Sequence, residues 1–341
     1  MAEDGAAQTA AVIARIADEP APITQRARRI LQALGPVLRY DAAAIALRDP
    51  ERQIRIPLAS AGDAAALHAY WSSAEADAEL ARLGLNRPGP PLLSTELSPL
   101  AAETAYWRRY LAPSGFRGGI DAALVTADGR HVGHLTLLTQ ADALPTPADR
   151  DLTGVLTPLI AQAVDRLPAI RVLAGIVPDV IAGTVLTQAG NTLPLPGLPL
   201  DPVLAAGSPA VAEVVERLAV GDRYATFLHP ALDAGAGALL RVTALDCSNA
   251  TTDHLRAAVL LSPAPDRHGL SRRDLQVLGL IVAGWEDDRR IAAALNSTPE
   301  DVAETTRRGM RLLGTPSRTG LAVCALREGL FVPPRVSGAA R

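Results

Sequence analysis

The sequence predicts an α+β protein of several domains, with two mixed regions of helix and strand followed by an all-helical bundle. Its 341 residues exceed one ordinary domain, and 48% of them are hydrophobic, which is enough for more than one core. Alternating apolar and polar residues, typical of strands, recur in the first two regions, whereas apolar residues at helical spacing dominate the last. We place these regions at residues 1–167, 168–265 and 266–341.

The first region is predicted to contain helices around a small set of strands. Short apolar runs on either side of Asp49-Pro50-Glu51 predict a hairpin, and Asp63 is the expected N-cap of the helix that follows. A loop rich in proline and glycine, NRPGPPLL, then interrupts regular structure. Apolar spacing predicts helices over residues 9–17, 23–38, 63–72, 74–83, 97–111 and 147–167.

A second hairpin is predicted around Asp128-Gly129, because this dipeptide favours a two-residue turn. Counting back from the turn puts Ala123 opposite His134 and Asp121 opposite Thr136. One face of the hairpin is then apolar and belongs to the core, with Ile120, Ala122, Leu124, Leu135 and Leu137. The other face is polar and carries Asp121, Ala123, His134 and Thr136.

The polar face of that hairpin is the first candidate site. Asp121 and His134 lie diagonally on it, with about 7–8 Å between their backbones across the two strands, so their side chains are within reach of each other. A carboxylate that holds an imidazole is a general-base arrangement in many enzymes, and the same pair serves equally as the polar floor of a ligand site or as a structural pair. His131 is three residues from His134, so we expect their rings on opposite faces and no shared metal ion.

Aromatic residues are concentrated in the same region. The chain has three Trp, five Tyr and three Phe, and six of these lie between Tyr70 and Phe116. One interpretation is a core or dimer patch, and the other is the wall of a cavity for a planar or apolar ligand. The second interpretation makes the following residues candidates for ligand binding, with Asp121 and His134 also the candidate catalytic pair: Trp71, Tyr106, Trp107, Tyr110, Phe116, Asp121, His134 and Thr136.

The second region is predicted to alternate strands with one helix. Strand-like runs are VIAGTVLTQAG, RYATFLHP, GALLRVTALD and HLRAAVLLSP, and a helix is predicted over residues 209–219. This order resembles a degenerate PAS-like fold. In the first region, the order of helices, antiparallel sheet, long insertion, hairpin and closing helix over residues 23–167 resembles a GAF domain. That resemblance implies that one face of the sheet lines a small-molecule cavity.

The third region is predicted to contain four helices. Gly284 ends the first, Thr298 and Pro299 are the N-cap and first residue of the third, and Gly314 ends it. The fourth is predicted over residues 318–330. The region resembles the carboxy-terminal helix-turn-helix of LuxR-type transcription regulators at Leu270-Ser271, Arg273, Val277-Leu278, Gly284, Ile291-Ala292, Leu295, Thr298, Val302, Leu313-Gly314, Ser317-Arg318-Thr319, Ala325-Leu326 and Gly329-Leu330.

The resemblance implies a DNA-binding surface on the third helix. In that family the third helix enters the major groove, where its first residues contact bases and flanking basic groups contact phosphates. It also implies a homodimer, since two half-sites need two reading helices. The residues expected to contact DNA are Arg272, Arg273, Thr298, Thr305, Arg307, Arg308, Arg311 and Arg318.

The third helix departs from the family pattern in charge and in size. Glu300 and Asp301 stand where the family has basic or hydroxyl groups, and Ala303 replaces a basic residue. Thr306 and Gly309 replace apolar core residues, and a glycine inside a helix costs about 1 kcal/mol. We therefore predict that the reading helix is degenerate and that DNA binding is weakened.

Charge is unevenly distributed along the chain. All 33 basic residues are arginines. From Asp266 onward there are 12 arginines and nine acidic residues, a net charge of +3, and the residues before it carry −6. A DNA-binding domain usually has a stronger basic surface, so this balance also predicts weakened binding.

Several kinds of site lack their sequence motifs. Cys247 and Cys324 are too far apart for a zinc motif or a disulfide framework. No phosphate-binding glycine loop, nucleophile elbow or receiver-type aspartate pocket occurs, so we expect no cofactor and no metal. No apolar run approaches the roughly 18 residues of a membrane span, and the first residues do not resemble a signal peptide. We expect a cytoplasmic protein with no membrane partner.

Three functions are compatible with these patterns. The favoured one is a ligand-sensing LuxR-type regulator with no enzymatic activity, and salt-dependent DNA binding would support it. The alternative is a former regulator that now binds or converts a small molecule at the GAF-like pocket, through Asp121 and His134. A third is a regulator that captures an intact relative in inactive heterodimers, which co-purification of that relative would reveal.

Overall fold

The computed structural model describes residues 2–96, 103–231, 238–248 and 254–338. The chain divides into two compact units, Met1–Arg166 and Leu167–Arg341. The second unit holds both the second and the third predicted regions, and the three-part division itself stays a prediction. Residues 97–102 of the helix predicted over 97–111 lie outside the described residues.

The first unit is an antiparallel sheet with helices on both faces. Its elements are α1 (Ala2–Asp18), α2 (Ile23–Leu34), β1 (Ala42–Asp49), β2 (Ile54–Gly62), α3 (Ala65–Trp71), α4 (Ala76–Arg82), β3 (Leu92–Leu93), a π-helix (Tyr106–Leu111), a 3-10 turn (Ala112–Ser114), β4 (Gly118–Val125), β5 (His131–Thr139) and α5 (Pro147–Val164). The strand order is β2-β1-β5-β4-β3. The helix predicted over 147–167 ends at Val164 because Asp165 is extended.

The interior strand β1 sends alternate residues to two different cores. Ile45 and Leu47 pack with apolar residues of α1, α2 and α5. On the opposite face, Ala42, Ala44 and Ala46 lie against α3, α4 and the π-helix. Because these three side chains are small, larger side chains from neighbouring strands and helices can lie over the middle of this face.

The hairpin of β4 and β5 has the predicted register along most of its length. Ala123 pairs with His134, and Asp121 pairs with Thr136. The predicted core face is confirmed, since its five apolar residues are buried in one cluster with α1, α2 and α5. The polar residues of the other face therefore lie on the side of α3 and the π-helix.

The turn of this hairpin differs from the prediction, with a consequence for two histidines. The Thr126 amide donates to the Arg130 carbonyl, which leaves three residues in the turn instead of two. The register recovers through a bulge at Val132 on β5. Because the bulge adds one residue to the alternation, the His131 and His134 rings share a face, with their centroids 4.6 Å apart. The prediction that they lie on opposite faces is wrong.

The second unit has its own five-stranded antiparallel sheet, followed by short helices. Its elements are α6 (Leu167–Ala174), β6 (Ala182–Thr187), β7 (Thr192–Pro194), a 3-10 turn (Pro202–Leu204), α7 (Pro209–Ala219), β8 (Tyr224–Pro230), β9 (Leu239–Asp246), β10 (Leu255–Pro263), α8 (Arg272–Val282), α9 (Asp288–Ala294), α10 (Pro299–Leu312), α11 (Arg318–Glu328) and α12 (Pro334–Ser337). The order β7-β6-β10-β9-β8 repeats the connectivity of the first sheet. The PAS-like description of this sheet stays a prediction.

The terminal helices pack on the second sheet and share its core. The Leu228 amide on β8 donates to the Phe331 carbonyl at 2.8 Å, and the Val332 amide donates to the Leu275 carbonyl on α8 at 2.9 Å. The Phe331 ring centroid lies 6.5 Å from that of Phe227. One buried cluster includes apolar residues of this sheet, of α7, α8 and α11, and of the segment 330–332. One cluster therefore joins the sheet to α8 and α11, and a separate buried cluster packs α8 with α9 and α10.

Candidate ligand site and candidate nucleic-acid interface

A buried hydrogen-bonded group lies on the polar face of the first sheet. Asp121 is 8% exposed and accepts hydrogen bonds from the Tyr106 hydroxyl at 3.2 Å and the Thr136 hydroxyl at 2.6 Å. Burial raises the pKa of the Asp121 carboxyl to about 6, although both hydrogen bonds act to lower it. The side chain therefore changes charge slightly below neutral pH, inside a group of buried hydroxyls.

Aromatic rings pack closely around this group. The Tyr70 ring centroid lies 4.5 Å from that of Tyr106 and 5.5 Å from that of Tyr110. Trp71 and Phe116 are buried in the same cluster, and Trp107 is partly buried against it. The structure thus brings the aromatic candidates together. Their packing agrees with the interpretation as a core, and their role in ligand binding stays a prediction.

The two side chains of the predicted Asp121–His134 pair have different partners. The His134 Nε2 hydrogen-bonds to the Leu85 carbonyl at 2.9 Å, whereas the Asp121 carboxylate is held by two hydroxyls. Burial lowers the pKa of His134 well below its usual value, and the neighbouring His131 and Arg55 lower it further. These contacts do not assemble the carboxylate–imidazole arrangement of a general base.

A second polar group on this face has no sequence motif. Arg55 on β2 is 3% exposed, and its guanidinium contacts the Asp77 carboxylate at 2.8 Å and the Asn86 side chain. Arg48 on β1 pairs with Arg55 across the hairpin and lies 3.9 Å from Asp77. Two arginines at facing positions of apolar strands are the signal that could have identified this group from the sequence.

A groove of about 500 Å³ borders the edge of β4. It is lined by the loop residues 88–91, by Ala123 and Val125 of β4, and by residues of α5. The aromatic candidates and the Asp121 group do not line it. The sequence therefore predicts polar and aromatic residues of the sheet face as the site, but not this groove.

In the second unit, α10 begins at the predicted N-cap. The Thr298 hydroxyl accepts a hydrogen bond from the Asp301 amide at 3.2 Å. Hydrogen bonds from Thr298 and Ser297 lower the pKa of the Asp301 carboxyl, so its negative charge is retained at the exposed start of the helix. Thr305 is partly buried, and the buried Thr306 hydroxyl donates to the Val302 carbonyl at 2.9 Å.

Three of the arginines expected to contact phosphate have acceptors on the neighbouring protein surface. The Glu304 carboxylate contacts Arg307 at 2.8 Å and Arg311 at 3.1 Å. Arg273 on α8 donates to the Leu295 carbonyl at 3.0 Å. A phosphate group would have to compete with these acceptors for the same guanidinium hydrogens.

Two other arginines form ion pairs between helices. Arg308 on α10 contacts Asp274 on α8, a carboxylate that is 2% exposed. Arg318 contacts Asp288 at 2.6 Å and donates to the Trp285 carbonyl at 3.2 Å. Both therefore stabilise the packing of the helices. Of the remaining candidates, Arg272 and Thr298 are exposed.

Gly309 has a packing role that explains its place inside α10. A Cβ added there would lie 3.3 and 3.4 Å from the two Cδ atoms of Leu321 on α11. The glycine thus permits close approach of the two helices. The glycine lowers helix propensity, as expected, but it also leaves room for Leu321. A larger side chain at this position would have to displace Leu321.

Comparison with known proteins gives structural likenesses only. No protein-family model and no curated protein sequence matches the chain. Escherichia coli SdiA is 12% identical, with 96% of this chain and 98% of SdiA covered and a TM-score of 0.34. The VqmA dimer of Vibrio cholerae, a LuxR-type receptor, is 14% identical over 49% of this chain and 90% of its own, with a TM-score of 0.29. The GAF domain of a phosphoenolpyruvate-protein phosphotransferase from Coxiella burnetii is 13% identical over 51% and 98%, with a TM-score of 0.37.

At these identities and TM-scores, the likenesses carry no argument about function. Two further observations concern membrane-spanning helices and clusters of metal-binding side chains. No helix among the described residues is long and apolar enough to cross a membrane. Within the same residues, no three His, Cys, Asp or Glu side chains are grouped so that they could hold a metal ion.

Proposed function

We propose that the chain is a ligand-sensing transcription regulator of the LuxR type whose DNA binding is weak. The observation that carries this proposal is the contact of one carboxylate, Glu304, with both Arg307 and Arg311 on the exposed face of α10. The capped helices α8, α9 and α10 support a helix-turn-helix, because they follow the order and the short connections of that motif.

The weakness of DNA binding follows from charge. An exposed ion pair such as Glu304–Arg307 contributes only about 0.2–1 kcal/mol, so a phosphate can displace the carboxylate at little cost. The displaced Glu304 nevertheless remains beside the phosphate, as do Glu300 and Asp301 at the start of α10. Like charges at the interface reduce the gain from each arginine contact.

Under this proposal the two units have different tasks. The first unit is a GAF-like sensor that recognises a small molecule near Asp121, and the second contacts DNA as a homodimer in the cytoplasm. The buried polar group around Asp121 supports the first task, because buried hydrogen-bonding side chains are common in the sites that recognise polar ligands.

Retention of genomic DNA tests the proposal. Full-length protein is mixed with sheared DNA from the source organism at about 50 mM salt, and bound fragments are sequenced. We expect enrichment of specific fragments that disappears at about 200 mM salt, since phosphate contacts dominate such binding. The double variant Arg307→Gln, Arg311→Gln should retain about tenfold less DNA.

The matched control for this experiment is Arg335→Gln. Arg335 is an arginine of the same unit that pairs with Glu216 at 2.8 Å, outside α8 to α11. It should leave DNA retention unchanged. No retention by the unmodified protein at low salt would contradict the proposal, as would equal losses in the double variant and the control.

A small-molecule-binding protein that does not use DNA is the second candidate function. The buried Asp121 carboxyl, with its pKa raised by burial, favours it, because such groups are frequent at functional sites. Native mass spectrometry of the purified protein would then detect a bound compound. The substitution Tyr106→Phe should weaken the binding of that compound. The exposed Tyr224 supplies the control Tyr224→Phe, which should have no effect.

A further inference from the structure

Four basic side chains meet on the buried face of the first sheet, and we call Arg48, Arg55, His131 and His134 the basic cluster. Arg48 and Arg55 are directly opposite each other on β1 and β2. His134 on β5 pairs with Ala46, two residues before Arg48 on the same face of β1. The His131 ring lies against the His134 ring. Three neighbouring strands thus contribute to one group.

Five buried polar atoms of the basic cluster have no hydrogen-bond partner among the described residues. They are the Nε of Arg48, the Nε and Nη1 of Arg55, and the Nδ1 atoms of His131 and His134, and of these the Arg55 Nη1 contacts the Asp77 carboxylate. Arg55 and His134 are each only 3% exposed. Buried polar atoms are nearly always satisfied in folded proteins, so several such atoms in one group call for a ligand or an ordered solvent molecule.

The hydrogen-bonding character of these atoms is determined by their surroundings. The His134 Nε2 lies 2.9 Å from the Leu85 carbonyl oxygen, which can only accept. The Nε2 therefore carries the hydrogen in the neutral ring, and the Nδ1 is left as an acceptor. The two arginine Nε atoms are donors. The His131 Nε2 likewise lies 2.8 Å from the Gly133 carbonyl oxygen, so its Nδ1 is also an acceptor, and the cluster presents two Nε donors and two acceptors.

The charge of the cluster favours an anion. Asp77 is the carboxylate that contacts both guanidinium groups, at 2.8 Å for Arg55 and 3.9 Å for Arg48. Burial lowers the pKa of His131 to about 4 and that of His134 well below its usual value, so both rings are neutral near pH 7. Two guanidinium charges against one carboxylate leave a net charge of +1, which also disfavours a metal cation.

We propose that the basic cluster binds a small α-hydroxy carboxylate. The carboxylate accepts hydrogen bonds from the Arg48 and Arg55 Nε groups and balances their excess charge, while the hydroxyl donates to the His134 Nδ1. This inference rests on the sensor role proposed above and specifies the class of ligand.

Three probes of equal carbon number test the proposal by calorimetry on the full-length protein. Lactate has both groups, propionate lacks the hydroxyl, and 1,2-propanediol lacks the carboxylate. We expect lactate to bind about tenfold more tightly than propionate, and propanediol not to bind. Nitrogen-15 NMR should show a shift of the His134 Nδ1 resonance with lactate alone. Absence of lactate binding, or equal binding of propionate, would overturn the proposal.

Variants distinguish this site from general attraction of anions. Arg48→Gln removes one donor and keeps the Arg55–Asp77 contact, so the protein should fold and bind lactate at least tenfold more weakly. Arg52 lies near the turn of the same hairpin, and Arg52→Gln should leave lactate affinity unchanged. Equal losses in both variants would refute a specific site. Lactate is measured without DNA, and DNA retention without lactate, so this inference and the proposed function can fail separately.

Discussion

The Asp121 carboxyl is subject to two opposing effects. Burial beneath the aromatic rings disfavours its charge, hydrogen bonds from Thr136 and Tyr106 favour it, and the net effect is a pKa raised from 3.8 to about 6. The folded state therefore binds this proton more tightly than the unfolded state does. The resulting stability is present below about pH 4 and is lost as the pH rises through about 6.

Replacement of Asp121 by Asn should change how stability depends on pH. Asn keeps an acceptor for the two hydroxyls but does not titrate. Between about pH 4 and pH 7, the free energy of unfolding of the unmodified protein should fall by about 3 kcal/mol relative to that of Asp121→Asn. Urea unfolding of both proteins across this range measures the difference. Parallel pH profiles of the two proteins would show that ionisation of Asp121 does not destabilise the folded state.

At this scale, only part of the candidate site was predictable. Counting back from Asp128-Gly129 placed Asp121, His134 and Thr136 on one face, because alternation along a strand is a local property. Their partners were not predictable in the same way. The hydroxyl of Tyr106 and the carbonyl of Leu85 reach the sheet from distant parts of the chain, and only tertiary packing decides those contacts.

Among the elements, the β4–β5 hairpin shows how one extra residue alters a site. The turn holds three residues instead of two, and the bulge at Val132 restores the register further along. This change brings His131 beside His134 and so completes the basic cluster. The preference of Asp128-Gly129 for a two-residue turn is a local property. The bulge at Val132 depends on how β5 pairs with its neighbouring strands, so the dipeptide does not predict it.

Next to the bulge, Gly133 is required by close contact with β1. A Cβ there would lie 2.1 Å from the Ala46 carbonyl oxygen, which is backbone and cannot move aside. Gly133→Ala should therefore cost at least about 3 kcal/mol of unfolding free energy. Gly89→Ala is the control, because no atom lies within 4 Å of the added Cβ. Similar urea midpoints for both variants would contradict this account of the sheet.

The start of α8 depends on Asp274. Its carboxylate accepts hydrogen bonds from the Ser271 amide and hydroxyl, both at 2.7 Å, and contacts Arg308. Asp274→Ala should cost about 3 kcal/mol, since it removes the carboxylate half of the capping box and leaves a guanidinium without its buried partner. Hydrogen exchange of α8 amides measures this loss.

A matched cap in the first unit isolates the contribution of Arg308. Asp149 forms the same capping box with Thr146 at the exposed start of α5. Asp149→Ala should cost only about 1 kcal/mol, measured by exchange of α5 amides. If the two substitutions had equal effects, the contact between Asp274 and Arg308 would contribute no stability.

At the scale of the whole molecule, the two units have the same sheet connectivity without a visible repeat in the sequence. Four strands of each sheet were predicted from alternation and turn residues, and so were the capped terminal helices, whereas the short edge strands β3 and β7 lie in segments that were not predicted as strands. The shared core of the second unit was not predicted. Phe331 and Val332 follow the last periodic helix, and their burial against β8 and α8 depends on contacts between distant segments.

The shared core predicts that the second sheet and the terminal helices unfold together. Phe331→Ala leaves a cavity at their junction and should cost about 4 kcal/mol. Hydrogen exchange should then show the same loss of protection in β8 to β10 and in α8. If only the helices lost protection, they would form an independent domain, and the shared core would be disproved.

The salt dependence of DNA binding tests the central claim, that α10 has DNA-binding arginines held by its own carboxylate. Fluorescence anisotropy with an enriched duplex gives the slope of log affinity against log salt for the unmodified protein, for Glu304→Gln and for the control Glu216→Gln. We predict tighter binding at each salt concentration for Glu304→Gln alone, because its carboxylate no longer competes with, or repels, the phosphates that Arg307 and Arg311 contact. An unchanged affinity in Glu304→Gln would contradict the account.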